Sequence, residues 1–324
     1  MERNRPVVGP SGQIFDQLLH AAGIARANIY ILNLFPFMVR KTRGDSTIYD
    51  QDGEVLYRAG KGLTERGQVY GDKVRSTIER SGARVVVPMG APACSALVGE
   101  RPIMKWRGSP FPWEGNRTVI PTVHPAATLY GTYMWRYLIK ADLDKALRHS
   151  TYKRHTVPQR NLIIDPSFAE TMDYLRQVEQ TPLVAGDCEV YSRQISCFSW
   201  AIDPLTCMSI PFIDGNGQNR WTLQEEARIW EMFSHILKRK KGRIVFHNAT
   251  FDLWMLAMQN SILYTTQVDD TMIAHSIMYP HFKMGLDLLT SLHTDEPYYK
   301  EDRKLWNKIT VDSRRFWEYN AKDS

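Results

Sequence analysis

Five residues in the second half of the chain carry groups that could do chemistry together: Asp187 and Glu189 in VAGDCEVY, Asp252 in VFHNATFDLWML, and Tyr319 with Asp323 in EYNAKDS. Asp187 and Glu189 are two apart after the apolar run Leu183-Val184-Ala185, so on a strand both carboxylates point to one face. Tyr319 and Asp323 are four apart and stack on one face of a helix. Asp252 follows the apolar stretch 243–246 by a short polar turn and opens another helical run. Carboxylates gathered in this way repel one another unless divalent cations neutralise them, and oxygen-only ligands favour Mg²⁺ or Mn²⁺ over zinc. Two such ions about 4 Å apart stabilise both the attacking and the leaving oxygen of a phosphodiester displacement.

The surrounding pattern supplies strands and helices to hold these groups. Ser167-Phe168-Ala169-Glu170 reads as a capping box heading a helix to 179. Strands follow at 182–190, 194–202 and 206–213. A second capping box, Thr222-Leu223-Gln224-Glu225, opens a helix that places Ile229, Phe233, Ile236 and Leu237 at helical spacing. The cluster Lys238-Arg239-Lys240-Lys241-Gly242 reads as a cationic helix end capped by glycine. Strand 243–246, helix 251–260 and a helical stretch around 270–279 complete this half. Asp270 and Asp287 read as helix caps, and His247 as a ring satisfied within its turn.

The helical run 133–147 ends in the polar, basic and aperiodic segment 148–160, which reads as a linker. The expected division is therefore a domain over 1–148, a linker over 149–161 and a second domain over 162–324. In the first half, Pro6-Val7-Val8-Gly9 leads into an amphipathic helix over 14–22, and a strand is expected over 29–33. An apolar strand and glycine turn at 83–91 enter a helix ending at Gly99, and His124 stands just beyond a strand in 119–126. Alternating strands and helices predict a parallel α/β sheet with loops at one edge. The fold class expected for the whole chain is α/β in two domains.

The ordered set of Asp187-Cys188-Glu189, Asn248-Ala249-Thr250-Phe251-Asp252 and Tyr319-Asn320-Ala321-Lys322-Asp323 resembles the 3′→5′ exonucleases with the Asp-Glu-Asp-Asp-Tyr signature. The likeness is to the proofreading domain of family A DNA polymerases of the polymerase I type, and it implies a ribonuclease H-like fold. By that resemblance Asp187, Glu189, Asp252 and Asp323 hold two Mg²⁺ or Mn²⁺ ions, and Tyr319 orients or deprotonates the attacking water. Asn248 and Phe251 contact the substrate, a single-stranded or frayed 3′ end of DNA. In that family the chain continues into a polymerase domain, so this chain reads as part of a phage-type polymerase. Asp323 stands on a last turn with only Ser324 after it. Terminal turns fray, so a weak metal ligand and a feeble nuclease favouring Mn²⁺ are expected.

Residues 5–145 resemble the uracil-DNA glycosylase superfamily, especially its family 4 type. The resemblance implies that Asn33 reads the uracil edge and that His124 stabilises the departing base or contacts phosphate. Three departures matter. The family's water-activating motif before Pro6-Val7-Val8-Gly9 has no counterpart, Val7 replaces the stacking aromatic, and the iron–sulfur cysteines are missing, with Phe37 near one of their positions. This half is therefore expected to hold no iron–sulfur cluster and to excise no uracil at a useful rate. The rival readings are uracil excision by this half, or a non-catalytic DNA-binding fragment.

Composition bounds these readings. A hydrophobic fraction of 43% with nine Trp gives ample core material and argues against disorder. Net charge +6 and a pI near 9.0 suit a polyanionic partner without establishing one. Cys94, Cys188, Cys197 and Cys207 make no zinc or iron–sulfur spacing and read as buried thiols of a bacterial or phage-infected cytoplasm. No apolar run is long enough for a membrane helix and no signal-peptide pattern opens the chain, so no membrane partner is expected.

Overall fold

The period-two pattern of 183–190 becomes the centre of the second half's sheet. In the strand Leu183–Tyr191, Val184, Gly186 and Cys188 turn one way into the core, and Asp187 and Glu189 turn the other. The computed structural model describes residues 6–7, 9–41, 46–130, 132–152, 159–299 and 313–324. The chain divides into two units, Met1–Val157 with Asp287–Tyr298, and Pro158–Leu286 with Tyr299–Ser324. This differs from the division read in sequence. The helix Trp135–Thr151 runs on past 148, the strand Asn161–Ile164 begins at the last residue of the expected linker, and residues 153–158 between them lie outside the described residues.

The second unit is a six-stranded mixed sheet in the order Gln267–Asp270, Arg243–Phe246, Leu183–Tyr191, Gln194–Asp203, Thr206–Pro211 and Asn161–Ile164. The three central strands are antiparallel, and the flanking strands join them in parallel. Helices Phe168–Gln180 and Leu223–Arg239 contribute Leu175, Val178, Phe233 and Ile236 to a core with Phe198, Trp200, Met208 and Phe246. Both helices start in a full capping box, at Ser167 with Glu170 and at Thr222 with Glu225. Helix Ser313–Asp323 brings Phe316, Trp317 and Asn320 into contact with the strands, where Phe316 and Trp317 pack on Cys197.

Two local expectations give way. Lys240 is buried rather than part of a solvated cationic end. Its ammonium donates to Val178 O at 2.6 Å and to Thr181 O, closing the carbonyl end of helix Phe168–Gln180. Gly242 serves close packing, because a Cβ there would stand 2.3 Å from Pro182 O. Asp270 does cap helix Thr271–Met278, through Met272 N, and also accepts from Asn248 N and Ala249 N at the head of helix Ala249–Asn260. His247 Nδ1 lies 2.9 Å from Thr271 Oγ1, a partner at the head of the next helix.

In the first unit, helix Pro10–Ala21 buries Ile14, Phe15, Leu18 and Leu19 against Val123, Ile139 and Leu143. Short strands between residues 40 and 63 form an antiparallel four-stranded sheet. Val85–Val86 pairs in parallel with Arg117–Val119, which pairs antiparallel with Phe111–Trp113. The α/β class holds, and among the described residues the parallel pairing of this unit is that short ladder with a parallel bridge between Met89 and Thr122. The expected strand over 29–33 is extended chain following a 3₁₀ turn at Arg26–Asn28, outside any sheet.

A buried ionic cluster ties segment Asp287–Tyr298 into this unit. Arg107 donates from Nε to Asp142 Oδ2 at 2.9 Å, from Nη2 to Asp142 Oδ1, and from Nη1 to Ser291 Oγ at 2.9 Å. The Lys145 ammonium donates to Gly108 O, Ser291 O and Thr294 O at 2.6 to 2.8 Å. Burial pushes the Lys145 pKa down to about 8, against the upward pull of Asp295 and Asp142. Three carbonyl acceptors favour the charged form, so the ammonium is retained at neutral pH.

Candidate metal centre and nuclease site

Asp187 and Glu189 leave the same face of strand Leu183–Tyr191, as the spacing requires. Gly186 before them lets aromatic rings close beneath the strand, since a Cβ there would lie 2.9 Å from Phe246 Cε1 and 3.2 Å from Phe198 Cε1. A bulge at Ser196 interrupts the ladder opposite Glu189, and Ser196 Oγ donates to Glu189 O at 2.9 Å. Asp323 arrives from helix Ser313–Asp323. One carboxylate oxygen of each of Asp187, Glu189 and Asp323 lies within 4.8 Å of the other two. Glu189 is buried and the other two are half-buried. An all-carboxylate set of this spacing fits a hard divalent cation and offers no nitrogen or sulfur donor for a softer one.

Helix Ser313–Asp323 is fastened at both carboxylates. Asn320, fully buried, donates from Nδ2 to Asp187 O at 3.1 Å and to Asp187 Oδ2 at 3.0 Å. The Tyr299 hydroxyl lies 2.6 Å from Asp323 Oδ1 and 3.0 Å from Lys322 O, and Ser324 Oγ meets Ser199 Oγ. The expected fraying of the last turn is countered by these ties. Tyr319 is buried, 6.1 Å from Tyr299 between ring centroids. Burial, then the charge of Asp323, raises its phenol far above the ordinary tyrosine range.

Asp252 is placed differently from the other three carboxylates. Strand Arg243–Phe246 pairs with Leu183, Val184 and Ala185, and three residues further along Cys188 N donates to Asp252 Oδ1 at 2.8 Å. Asp252 therefore adjoins the strand segment between Asp187 and Glu189 but lies outside the close carboxylate group. Burial pushes its pKa up to about 6, against the lowering by the Cys188 N–H. At the head of the same helix Asn248 takes a left-handed conformation, φ 69°, and Phe251 is 42% exposed. A groove of about 440 Å³ between this helix and Tyr264 and Ile273 is lined by none of the clustered carboxylates.

In the first unit, His124 Nδ1 accepts from Ala126 N at 3.1 Å, which places the proton of the neutral ring on Nε2. Desolvation and then the Lys41 charge pull its pKa below the usual histidine value. The residue nevertheless keeps an exposed surface, so solvent softens that pull. Asn33 is exposed. Val7 has φ 56°, rare for a β-branched residue, and packs against the Ile14–Leu18 core. Val8 lies outside the described residues. Phe37 stacks with Phe35 at 6.2 Å and meets Tyr70 edge-on at 5.4 Å. All four cysteines are buried thiols.

Sequence reasoning passed over Asn320 and Tyr299. Asn320 was legible in part. It stands four residues after Phe316, so an amide falls on the apolar stripe of the helix, where only a built partner would tolerate it.

Both units are mixed α/β folds, one gathering carboxylates on a strand and a helix, the other carrying a histidine beyond a short parallel ladder. Residues 1–149 match the Uracil DNA glycosylase superfamily, and residues 164–324 match the 3'-5' exonuclease family. Over 145 residues, 44% of this chain and 67% of the relative, the sequence is 30% identical to the Type-4 uracil-DNA glycosylase of Thermotoga maritima. The chain thus belongs to the uracil-DNA glycosylase superfamily through its first unit and carries a 3′-5′ exonuclease domain in its second. Among solved structures, the Nibbler EXO domain of Aedes aegypti is 13% identical with a TM-score of 0.40, over 52% of this chain and 86% of that one. Brucella melitensis NrnC with bound Mg²⁺ is 21% identical with a TM-score of 0.35, over 51% and 72%.

Proposed function

We propose that the second unit removes 3′-terminal nucleotides from single-stranded or frayed DNA, as the proofreading part of a family A DNA polymerase in a bacterial or phage-infected cytoplasm. The observation that carries this reading is the convergence of Asp187, Glu189 and Asp323 within 4.8 Å. Those three would hold a divalent cation, with Asp252 beside them as the fourth carboxylate. Bound Mg²⁺ or Mn²⁺ would supply the Lewis acidity that stabilises the attacking and leaving oxygens. In the metal-free protein burial, then Asp323, disfavours the Tyr319 phenolate, which supports a phenol that would orient the attacking water by hydrogen bonding. The exposed ring of Phe251 offers a stacking surface to a terminal base, and Asn248 stands at the head of the same helix. The net charge of +6 suits a polyanionic substrate.

A second reading, uracil excision by the first unit, is supported by its likeness to the Thermotoga maritima glycosylase. We hold this unit to be a DNA-binding platform. A flipped base needs a ring to stack on and a polar group to read its edge, whereas Val7 is turned to the core and Asn33 to solvent.

Digestion of a 3′-labelled single strand tests the first reading. Mg²⁺ or Mn²⁺ should support shortening, EDTA should abolish it, and Asp252→Ala should lose on the order of a hundredfold or more. Undiminished digestion by Asp252→Ala would sink the site assignment. Alkali-labile breaks at uracil with EDTA present would instead move the activity to the first unit.

A further inference from the structure

Asp187, Ser199 and Ser209 form one row across three neighbouring strands, because Ser199 stands opposite Asp187 and Ser209 opposite Ser199. Both serines are fully buried, on the face that carries Asp187 and not on the opposite face, where Phe198, Trp200 and Met208 enter the apolar core. Above the row lies Asn320, and it touches all three members. Its Oδ1 accepts from Ser209 Oγ at 2.9 Å, its backbone O accepts from Ser199 Oγ at 2.9 Å, and its Nδ2 donates to Asp187 O and Oδ2. The amide cannot be turned over. Asp187 presents only acceptors to it, whereas the serine hydroxyl can donate, so Nδ2 must face the carboxylate. Small hydroxyl residues leave room for the amide, and both serine hydroxyls and both polar atoms of the amide have partners in the row.

We infer that Asn320 is the positioning residue of the metal site: its amide, anchored on Ser209, fixes the side-chain orientation of Asp187 so that the carboxylate faces Glu189 and Asp323. This rests on the reading of the carboxylates as metal ligands. A neutral donor orients the carboxylate without cancelling the negative charge that a cation requires. Outer partners of metal ligands act in this way, and their loss lowers metal affinity by about ten- to a hundredfold.

The test is Mn²⁺ binding to the full chain by calorimetry, without nucleic acid. The variants are Asn320→Ala and Asn320→Leu, the second keeping the branched shape without the polar atoms and favouring the helix more than Asn does. Phe316→Leu serves as control, since Phe316 packs the same helix on Cys197 and carries no polar side-chain atom to orient a carboxylate. Both Asn320 variants should bind Mn²⁺ about ten- to a hundredfold more weakly. Their kcat on single-stranded DNA should fall with KM little changed, while Phe316→Leu lowers the melting temperature but keeps wild-type Mn²⁺ affinity. Wild-type affinity in the Asn320 variants overturns the inference, as does an equal loss in Phe316→Leu, which would reduce Asn320 to a packing role. If the wild-type chain itself binds no Mn²⁺, and Asp187→Asn changes nothing, the metal-site reading has failed and the inference falls with it.

Discussion

In the first unit, Asp142 receives Arg107 through two nitrogens and Thr122 Oγ1 at 2.6 Å, and Lys145 is surrounded by three carbonyls. In the second, Asp187, Glu189 and Asp323 crowd together, and neutral Asn320 and Tyr299 hold two of them in place. The first cluster is buried and brings opposite charges together, and the second, buried at Glu189 and half-buried at Asp187 and Asp323, brings like charges together. Opposite charges closed on themselves need nothing further and serve the fold. Like charges assembled against their own repulsion are kept for something that arrives from outside.

The contrast can be broken most forcefully at Asp142. Asp142→Ala leaves the Arg107 guanidinium buried without its counter-charge and should cost about 3–5 kcal/mol in urea unfolding. In metal-free protein Asp187→Ala should cost much less, because removing one of three like charges relieves repulsion. Equal losses would erase the distinction between the clusters.

Acidity sharpens the comparison at Asp252. Its folded pKa, about 6, lies above the ordinary aspartate value, so the folded state holds more protons than the unfolded one between about pH 4 and 6. Metal-free stability should therefore be fully present below that window and fall as pH rises through 6, by roughly 1.4 kcal/mol for each unit of displacement. Urea midpoints across this range should show the slope, and Asp252→Asn should flatten it. A wild-type curve that rises through the same window would refute the assignment.

The smallest effect is expected at Tyr319. Tyr319→Phe keeps the carboxylates and removes one hydrogen bond to water, so the rate of nucleotide release should fall roughly five- to tenfold, about 1 kcal/mol. A loss as deep as that of Asp252→Ala would make the phenol a proton acceptor after all.

Much of the second unit was legible because its signals are local. Capping boxes, alternation over 183–190 and the spacing of Ile229, Phe233 and Ile236 each act within a few residues, and the structure shows the corresponding elements. Strands Asn161–Ile164 and Gln267–Asp270, the two edges of the sheet, went unread, since the first adjoins a polar segment and the second carries a single apolar residue, Val268. Strand and helix periodicity put Asp187 with Glu189 and Tyr319 with Asp323, but that the two pairs meet was implied only by the family resemblance, and Asp252 beside Cys188 N depends on where strand Arg243–Phe246 stops. Asn320 was quoted within its motif but carried no visible role, since its partners Ser209 and Asp187 lie on strands far away in sequence. Lys240 was misread for the same reason, its acceptors lying on an earlier helix.

The path of the chain through segment Asp287–Tyr298 has a practical meaning for anyone who would separate the two units. The first unit is not a continuous stretch of sequence. A protein cut after 148 would retain Lys145 and Arg107 but lose Ser291 Oγ and the carbonyls of Ser291 and Thr294 that receive them. Its failure to fold would then say nothing about whether the glycosylase-like half can bind DNA. A fair dissection has to carry the returning helix Leu286–His293 along with the first half, or silence each site by point substitution in the intact chain.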